Sequence, residues 1–272
     1  MMNMFMRKNK KKEDAIDFSA YKLFAFDIDG TIAKSKMLLD DEMDSLLCGA
    51  LHKYDVALVS GASYGQMSTQ IVSRLSCREQ FSRLWLVPVS GSLLYRFIEG
   101  TWSCLDSHNF SDEEKKEIMD AFEEVFIDIG YVQPAQHYGD IFEDRDAQIT
   151  FSALGQQAPI SEKMKWNKVS DIRPAITNSL RKKLPLYEVR TGGMTSIDIT
   201  RKGIDKAFAI KNLSRFSGIA IEDMLYIGDA LYPGGNDEAV IKSGVRTFPV
   251  KDLSDTKDLL RSILNNTDKR EK

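Results

Sequence analysis

The sequence predicts an α/β protein in which a parallel sheet, covered by helices on both faces, is interrupted by an inserted α+β domain. Three observations carry that expectation. Short continuous apolar runs alternate with longer amphipathic stretches near both ends of the chain, as strands buried on both faces require. The middle of the chain carries strands that alternate apolar and polar residues instead, as half-exposed antiparallel strands do. A length of 272 residues accommodates both parts.

Each element has its own signal. Residues 1–17 are polar and Lys-rich (Lys8, Lys10, Lys11, Lys12) and read as a solvated, disordered tail. LFAFDID (23–29) reads as a buried strand, and 40–53 as a helix with Leu46, Leu47, Ala50 and Leu51 on one side. VALVSG (56–61) follows as a strand, 64–76 as a helix and LWLVPV (84–89) as a third strand. Residues 112–127 form an amphipathic helix opened by Ser111-Asp112-Glu113-Glu114, a good N-terminal signal. IFEDRDAQITFSAL (141–154) alternates like a strand, 171–184 reads as a helix and YEVRTGGMTSIDIT (187–200) returns to strand. A helix at 203–216, strands MLYIGD (224–229) and VRTFPV (245–250), and a closing helix at 253–264 complete the chain. The expected division is a core of 18–104 and 201–272 around an inserted domain of 105–200.

Composition narrows the function. Lys and Arg total 37 against 40 Asp and Glu, a net charge of −3, which argues against a nucleic-acid or anionic-membrane partner. No apolar run approaches the roughly 18 residues of a membrane span. MMNMFMRKNKKKED lacks the hydrophobic stretch of a signal peptide, so a cytoplasmic location is expected. Cys48, Cys77 and Cys104 are odd in number and widely spaced, which suggests neither a disulfide framework nor a zinc site. His52, His108 and His137 stand alone.

Polar chemistry collects where the predicted strands end. In an open parallel sheet, ligands bind beyond the carboxyl ends of the strands. The first strand ends in Asp27-Ile28-Asp29-Gly30-Thr31, the second in Ser60-Gly61, and a later one in Gly228-Asp229, followed by a Gly-rich loop to Asn236-Asp237. Lys206 lies in the helix before that later strand. Carboxylates from two strands make an oxygen-rich nest suited to Mg²⁺. A carboxylate at a strand tip can attack phosphorus and form an aspartyl phosphate, provided cations offset its repulsion of a phosphate dianion. An ammonium such as that of Lys206 and a hydroxyl such as that of Ser60 suit the transferring oxygens, and a second Asp suits general acid and base work.

Taken in order, Asp27-Ile28-Asp29-Gly30-Thr31, Ser60, Lys206 and Gly228-Asp229…Asn236-Asp237 resemble the four motifs of the haloacid dehalogenase-like phosphotransferases. The resemblance runs from residue 21 through nearly the whole chain and implies a Rossmann-like core with a large α/β cap inserted between the second and third motifs. Within that superfamily the chain is most similar to eukaryotic-type phosphomannomutases. The likeness rests on Tyr226–Asp237, on Gly192-Gly193 followed by Ser196-Ile197-Asp198, on Gly203-Ile204-Asp205-Lys206, and on Pro88-Val89-Ser90-Gly91.

The resemblance implies roles. Asp27 is the nucleophile and Asp29 the general acid and base, while Ser60 and Lys206 bind the transferring phosphoryl group. Mg²⁺ is held by Asp27, Asp29 and Asp229 with Asn236 and Asp237, and Thr31, Lys36, Arg145, Arg190, Ser196 and Asp198 bind substrate, a hexose phosphate or similar small ester. A homodimer through the cap is a further implication. Departures from those mutases point the other way. Tyr138 and Gln156 stand at two positions where the mutases have cap arginines, Lys36 stands where a core arginine is expected, and Ser60-Gly61-Ala62 replaces a Gly-Gly-Ser type segment. A mutase must hold a bisphosphate while it turns around, which calls for strong bidentate anion binding. The leading expectation is therefore a Mg²⁺-dependent phosphatase acting through an aspartyl phosphate. A hexose phosphate mutase interconverting mannose 1-phosphate and mannose 6-phosphate is the alternative, and a non-catalytic phosphosugar-binding relative the second alternative.

Overall fold

A computed structural model describes residues 16–35, 37–169 and 172–267. The chain divides into two compact units, Met1–Asp106 with Asp205–Lys272, and Ser107–Ile204. These limits lie a few residues downstream of the expected ones, because strands run across both expected borders, Thr101–Ser107 at the first and Ser196–Arg201 at the second.

The first unit is built on a seven-stranded sheet of order β11-β10-β1-β2-β3-β4-β5. Its parallel part comprises β1 (Leu23–Phe26), β2 (Asp55–Val59), β3 (Leu84–Val87), β10 (Met224–Gly228) and β11 (Arg246–Pro249). The strands are apolar on both faces because both are covered. Phe24 and Phe26 pack with Leu47 and Leu51 of α1 (Asp41–Lys53) and with Leu259 and Ile263 of α7 (Leu253–Thr267). Leu23 and Ala25 face the other side, with Ala209, Ile210 and Leu213 of α6 (Lys206–Ser217). From β1 the chain proceeds through β2 to β3 on one side and returns later to β10 on the other. The carboxyl end of β1 is thus the topological switch point where α/β proteins bind ligands.

Three elements of this unit differ from expectation. The helix expected over 64–76 ends early: α2 covers Tyr64–Gln70 and a short 3₁₀ turn follows at Val72–Arg74. A hairpin unforeseen in the sequence, β4 (Leu93–Ile98) and β5 (Thr101–Ser107), extends the sheet, with β4 antiparallel to β3. Its turn, Glu99 (φ 50°) and Gly100 (φ 82°), has the two left-handed residues of a tight hairpin. Finally, Cys48 and Cys77 form a disulfide across a separation of 29 residues, leaving Cys104 free and exposed. This corrects the expectation of no disulfide: α1 and the segment after α2 bring the two buried thiols together, a proximity that spacing alone cannot disclose.

The second unit carries an antiparallel sheet of order β6-β7-β9-β8: β6 (Phe142–Asp144), β7 (Gln148–Ser152), β8 (Tyr187–Gly192) and β9 (Ser196–Arg201). The stretch read as one strand over 141–154 is a hairpin, turning at Asp146 with φ 62°. One sheet face (Ile149, Phe151, Val189, Ile197, Ile199) packs against Ile118, Phe122 and Val125 of α3 (Asp112–Asp128) and Ile176 and Leu180 of α5 (Arg173–Lys183). Ser111 and Glu114 close the capping box expected at the start of α3. A helix the sequence did not announce, α4 (Ile160–Val169), precedes α5. Among the described residues no helix is long and apolar enough to cross a membrane. The Lys-rich tail expectation falls on residues outside the described ones, apart from Ile16 and Asp17.

Candidate active site

Strand ends of the core place the chemistry. Asp27 follows β1 directly and is almost fully buried, at 2% exposure. Its Oδ1 accepts a hydrogen bond from the Lys206 ammonium, while its Oδ2 is buried with no hydrogen-bond partner. An uncompensated buried carboxylate oxygen is expensive unless something is meant to meet it. Lys206 is the first residue of α6, whose N-cap Asp205 accepts from the backbone N–H groups of Ala207 (2.9 Å) and Phe208 (3.0 Å). That cap anchors the helix start, so the Lys206 side chain extends from a fixed base.

The ammonium bridges two acids. Lys206 Nζ also donates to Asp237 Oδ1 at 2.6 Å, and Tyr226 Oη donates to the same oxygen at 2.6 Å. Asp237 Oδ2 accepts from the Ala230 N–H at 3.1 Å. Asp27, Asp229 and Asp237 each offer an oxygen within 4.8 Å of the others, a spacing that fits a hard cation. Proximity alone would make all three ligands, but Asp237 is fully buried and both its oxygens are engaged. Asp237 thus holds Lys206 and Tyr226 in place and is also one of the three carboxylates close enough to share a cation. Asp27 and Asp229 offer the less committed carboxylates of the three that suit Mg²⁺.

Electrostatics follow from this crowding. Burial pushes the Asp27 carboxyl up to about 6, against the opposing pull of Lys206 and with the help of Asp237 and Asp229. Burial would lower the Lys206 pKa, but Asp27 and Asp237 override it and push it up, so the ammonium stays charged. Burial and the neighbouring Asp237 also raise Asp229. The Tyr226 hydroxyl, buried beside Asp27 and Asp237, is held well above its ordinary value and remains a donor. A cation entering this group would relieve like-charge repulsion among three carboxylates that one lysine only partly offsets.

Gly30 explains how the first and last motifs meet. It adopts φ +86°, and a Cβ there would stand 2.5 Å from Asp229 Oδ2, so only glycine lets the Asp229 carboxylate close against this turn. Asp29 is exposed on the same turn, whereas Thr31 is fully buried, with its hydroxyl lacking a hydrogen-bond partner. Ser60 follows β2 at 2% exposure, and its Oγ accepts from the Ala62 N–H at 3.1 Å, leaving its own proton to donate. Asn236 is exposed on the loop after β10, and Lys36 lies outside the described residues. Tyr226 enters the sequence only as the start of the Tyr226–Asp237 motif and without a role, although a hydroxyl in a wholly apolar strand signals a buried partner.

In the second unit, register aligns Glu143, Thr150, Asp198 and Arg190 in one row across the four strands, on the face opposite the helices. Asp198 Oδ1 accepts from Thr150 Oγ1 at 2.8 Å, and that hydroxyl accepts from Gln148 Nε2 at 2.8 Å. Burial pushes the Asp198 carboxyl up, against the hydrogen bond from Thr150. Ser196 lies two residues before Asp198 on the same strand face. Arg145 Nη2 donates to Glu143 Oε2 at 2.8 Å, and Arg190 Nε lies 3.6 Å from Glu188 Oε1. Both candidate phosphate-gripping arginines therefore have a carboxylate beside them. Gln156 donates weakly to the Thr150 carbonyl at 3.4 Å, and Tyr138 Oη accepts from Gln136 Nε2 at 2.9 Å.

Comparison with known proteins gives this constellation a family. The family model described as eukaryotic phosphomannomutase matches residues 43–266. The chain belongs to the eukaryotic phosphomannomutase family. Its relatives include a probable phosphomannomutase of Caenorhabditis elegans, 24% identical over 92% of this chain and 98% of that protein. A phosphomannomutase of Oryza sativa subsp. indica is 27% identical over 89% of this chain and 95% of its own length. The fold is that of the haloacid dehalogenase superfamily. A solved Plasmodium falciparum IMP-nucleotidase, truncated at its C-terminus, is similar with a TM-score of 0.65 at 17% identity, covering 92% of this chain and 72% of that one. An Aspergillus fumigatus trehalose-6-phosphate phosphatase has a TM-score of 0.58 at 15% identity, covering 92% and 95%. These findings make the protein a phosphoryl-transfer enzyme of this superfamily. The names of its sequence relatives favour the mutase alternative over the hydrolysis expected first.

Proposed function

We propose that this member of the phosphomannomutase family moves a phosphoryl group between positions of a hexose phosphate, through an aspartyl phosphate on Asp27. The observation that carries the phosphoryl-transfer chemistry is the buried, unpartnered Asp27 Oδ2 beside the Lys206 ammonium. That oxygen attacks phosphorus in line with the departing sugar oxygen, and the P–O bond to the sugar breaks as the Asp27–phosphoryl bond forms. Asp29, exposed on the next turn, gives its proton to the leaving oxygen. In the second half Asp29 takes a proton from the incoming hydroxyl, whose oxygen attacks phosphorus and frees Asp27. Lys206 and the Ser60 hydroxyl stabilise the charge on the phosphoryl oxygens. Mg²⁺ bound by Asp27, Asp229 and the Asp29 backbone carbonyl would neutralise phosphate charge. Arg145, Arg190, Ser196 and Asp198 would recognise the rest of the substrate.

Hydrolysis is the second reading, and a specific observation favours it. Glu143 and Glu188 lie against the two arginines that would grip a second phosphate, and Gln156 is neutral. A sugar monophosphate held weakly leaves before its hydroxyl can take the phosphoryl group, and water attacks the Asp27-bound phosphate instead. ³¹P NMR of the protein with Mg²⁺, mannose 1-phosphate and a trace of glucose 1,6-bisphosphate separates the readings. Conversion to the 6-phosphate with little free phosphate supports the mutase, growth of inorganic phosphate alone supports hydrolysis, and an unchanged spectrum across a wider panel of phosphate esters would defeat both.

A further inference from the structure

The Pro88–Ser92 segment leaves the carboxyl end of β3 and has no part in the chemistry above. Three successive residues in it have positive φ: Val89 at 50°, Ser90 at 55° and Gly91 at 104°. Such angles are uncommon outside glycine and a genuine outlier for a β-branched residue such as valine. The surroundings hold the segment there. The Val89 N–H donates to the Ala62 carbonyl at 3.0 Å and the Ser90 N–H to the Ser60 carbonyl at 2.8 Å. Behind them Gly91 presses on α6, where a Cβ would stand 2.8 Å from Ala209 Cβ and 3.1 Å from its backbone N. This one segment therefore touches both the Ser60 turn and the helix that begins with Lys206.

The strain has a visible product. Ser90 is partly exposed, and its Oγ lies 3.7 Å from the point where a Cβ on Gly61 would stand, against the Ser60-Gly61-Ala62 turn. Among the described residues its hydroxyl makes no hydrogen bond. A left-handed turn alone would be met more easily by glycine, so a serine held there presents a side chain at an energetic disadvantage. A transferring phosphoryl group has three non-bridging oxygens, and Lys206 and Ser60 offer it donors from a helix start and a strand end.

We propose that Ser90 is a further phosphoryl-binding residue, a second hydroxyl beside Ser60, aimed by the strained Val89–Gly91 turn. The proposal rests on the phosphoryl-transfer reading of the core site. Calorimetric titration with inorganic phosphate at fixed Mg²⁺, alongside thermal melts, tests it on wild type, Ser90→Gly and Ser90→Asn. Glycine relieves the strain and deletes the hydroxyl, so Ser90→Gly should melt at or above the wild-type temperature yet bind phosphate about tenfold more weakly. Asparagine tolerates the left-handed region and keeps a donor, so it should recover part of that loss. Wild-type affinity in Ser90→Gly, or a loss of binding accompanied by a fall in melting temperature, overturns the role. Absence of Mg²⁺-dependent phosphate binding in the wild type would sink the reading of the site itself, and this proposal with it.

Discussion

Between Asp27 and Asp237, the Lys206 ammonium organises charge more than it stabilises the fold, since a buried ion pair seldom repays its own desolvation. The consequence can be measured at Asp27. Its carboxyl is raised from 3.8 to about 6 in the metal-free protein, so between these values the folded state binds more protons than the unfolded chain. The stability contributed by this group is fully present below pH 3.8 and is lost as the pH rises through about 6. A ¹³C-carboxyl NMR titration of chelated protein, assigned with Asp27→Asn, should give a midpoint near 6 for Asp27, and a midpoint near 4 would contradict the burial argument. Mg²⁺ should pull the midpoint down by favouring the charged form. At this scale the sequence disclosed residue types but not partnerships. Asp27, Asp29, Ser60 and Asp229 stood out as candidates because strand ends collect ligands and Lys206 because it completes a motif, whereas the tie of Asp237 to Lys206 and Tyr226 depends on three side chains converging in space.

Elements differ in how openly they announce themselves. The five parallel strands were legible because burial on both faces makes them continuous apolar runs, and α3 because its cap and stripe agree. The β4–β5 hairpin was not read, since LLYRFI and TWSCLDS are half-exposed and mixed in character, although Glu99-Gly100 offered a turn signal. Helix α4 was missed because only Met164 lies one turn from Ile160 while Trp166 falls on another face, so no sustained apolar stripe forms. The Cys48–Cys77 bond belongs to this scale too, for it ties α1 to the segment following α2 and closes a loop that contains β2 and Ser60. Closing a loop of this length removes unfolded-state entropy equivalent to about 3–4 kcal/mol. Reduction should therefore lower the melting temperature of the wild type and leave that of Cys77→Ser unchanged. Denatured, unreduced protein should titrate for one free thiol, Cys104, and three thiols with equal melts would dismiss the bond.

For the molecule as a whole, the order β11-β10-β1-β2-β3 puts β1 between the strands that carry Ser60 and Asp229, so chain segments some 200 residues apart in sequence share one rim. Three carboxylates with oxygens within 4.8 Å of one another are brought together only by folding, so a cation held among them would bind the folded state alone. A ligand that binds only the folded state raises stability by about 2.7 kcal/mol at a hundredfold excess over its Kd. Millimolar Mg²⁺ should thus raise the melting temperature of the wild type, and EDTA should reverse the rise. The shift should shrink sharply in Asp229→Asn, and an equal shift in that variant would move the metal elsewhere.

By itself the sequence determined the fold class and the list of reactive groups. Apolar periodicity is a local property of the chain, and motifs record residue types that lie within a few positions of one another. Tertiary structure decided which of those groups work as donors, acceptors or supports. It tied Asp237 to Lys206, Tyr226 and the Ala230 N–H, joined Cys48 to Cys77, and bent Val89–Gly91 so that Ser90 lies against the Ser60 turn. Each of these depends on distances between segments remote in sequence, and such distances exist only once packing has excluded every other arrangement.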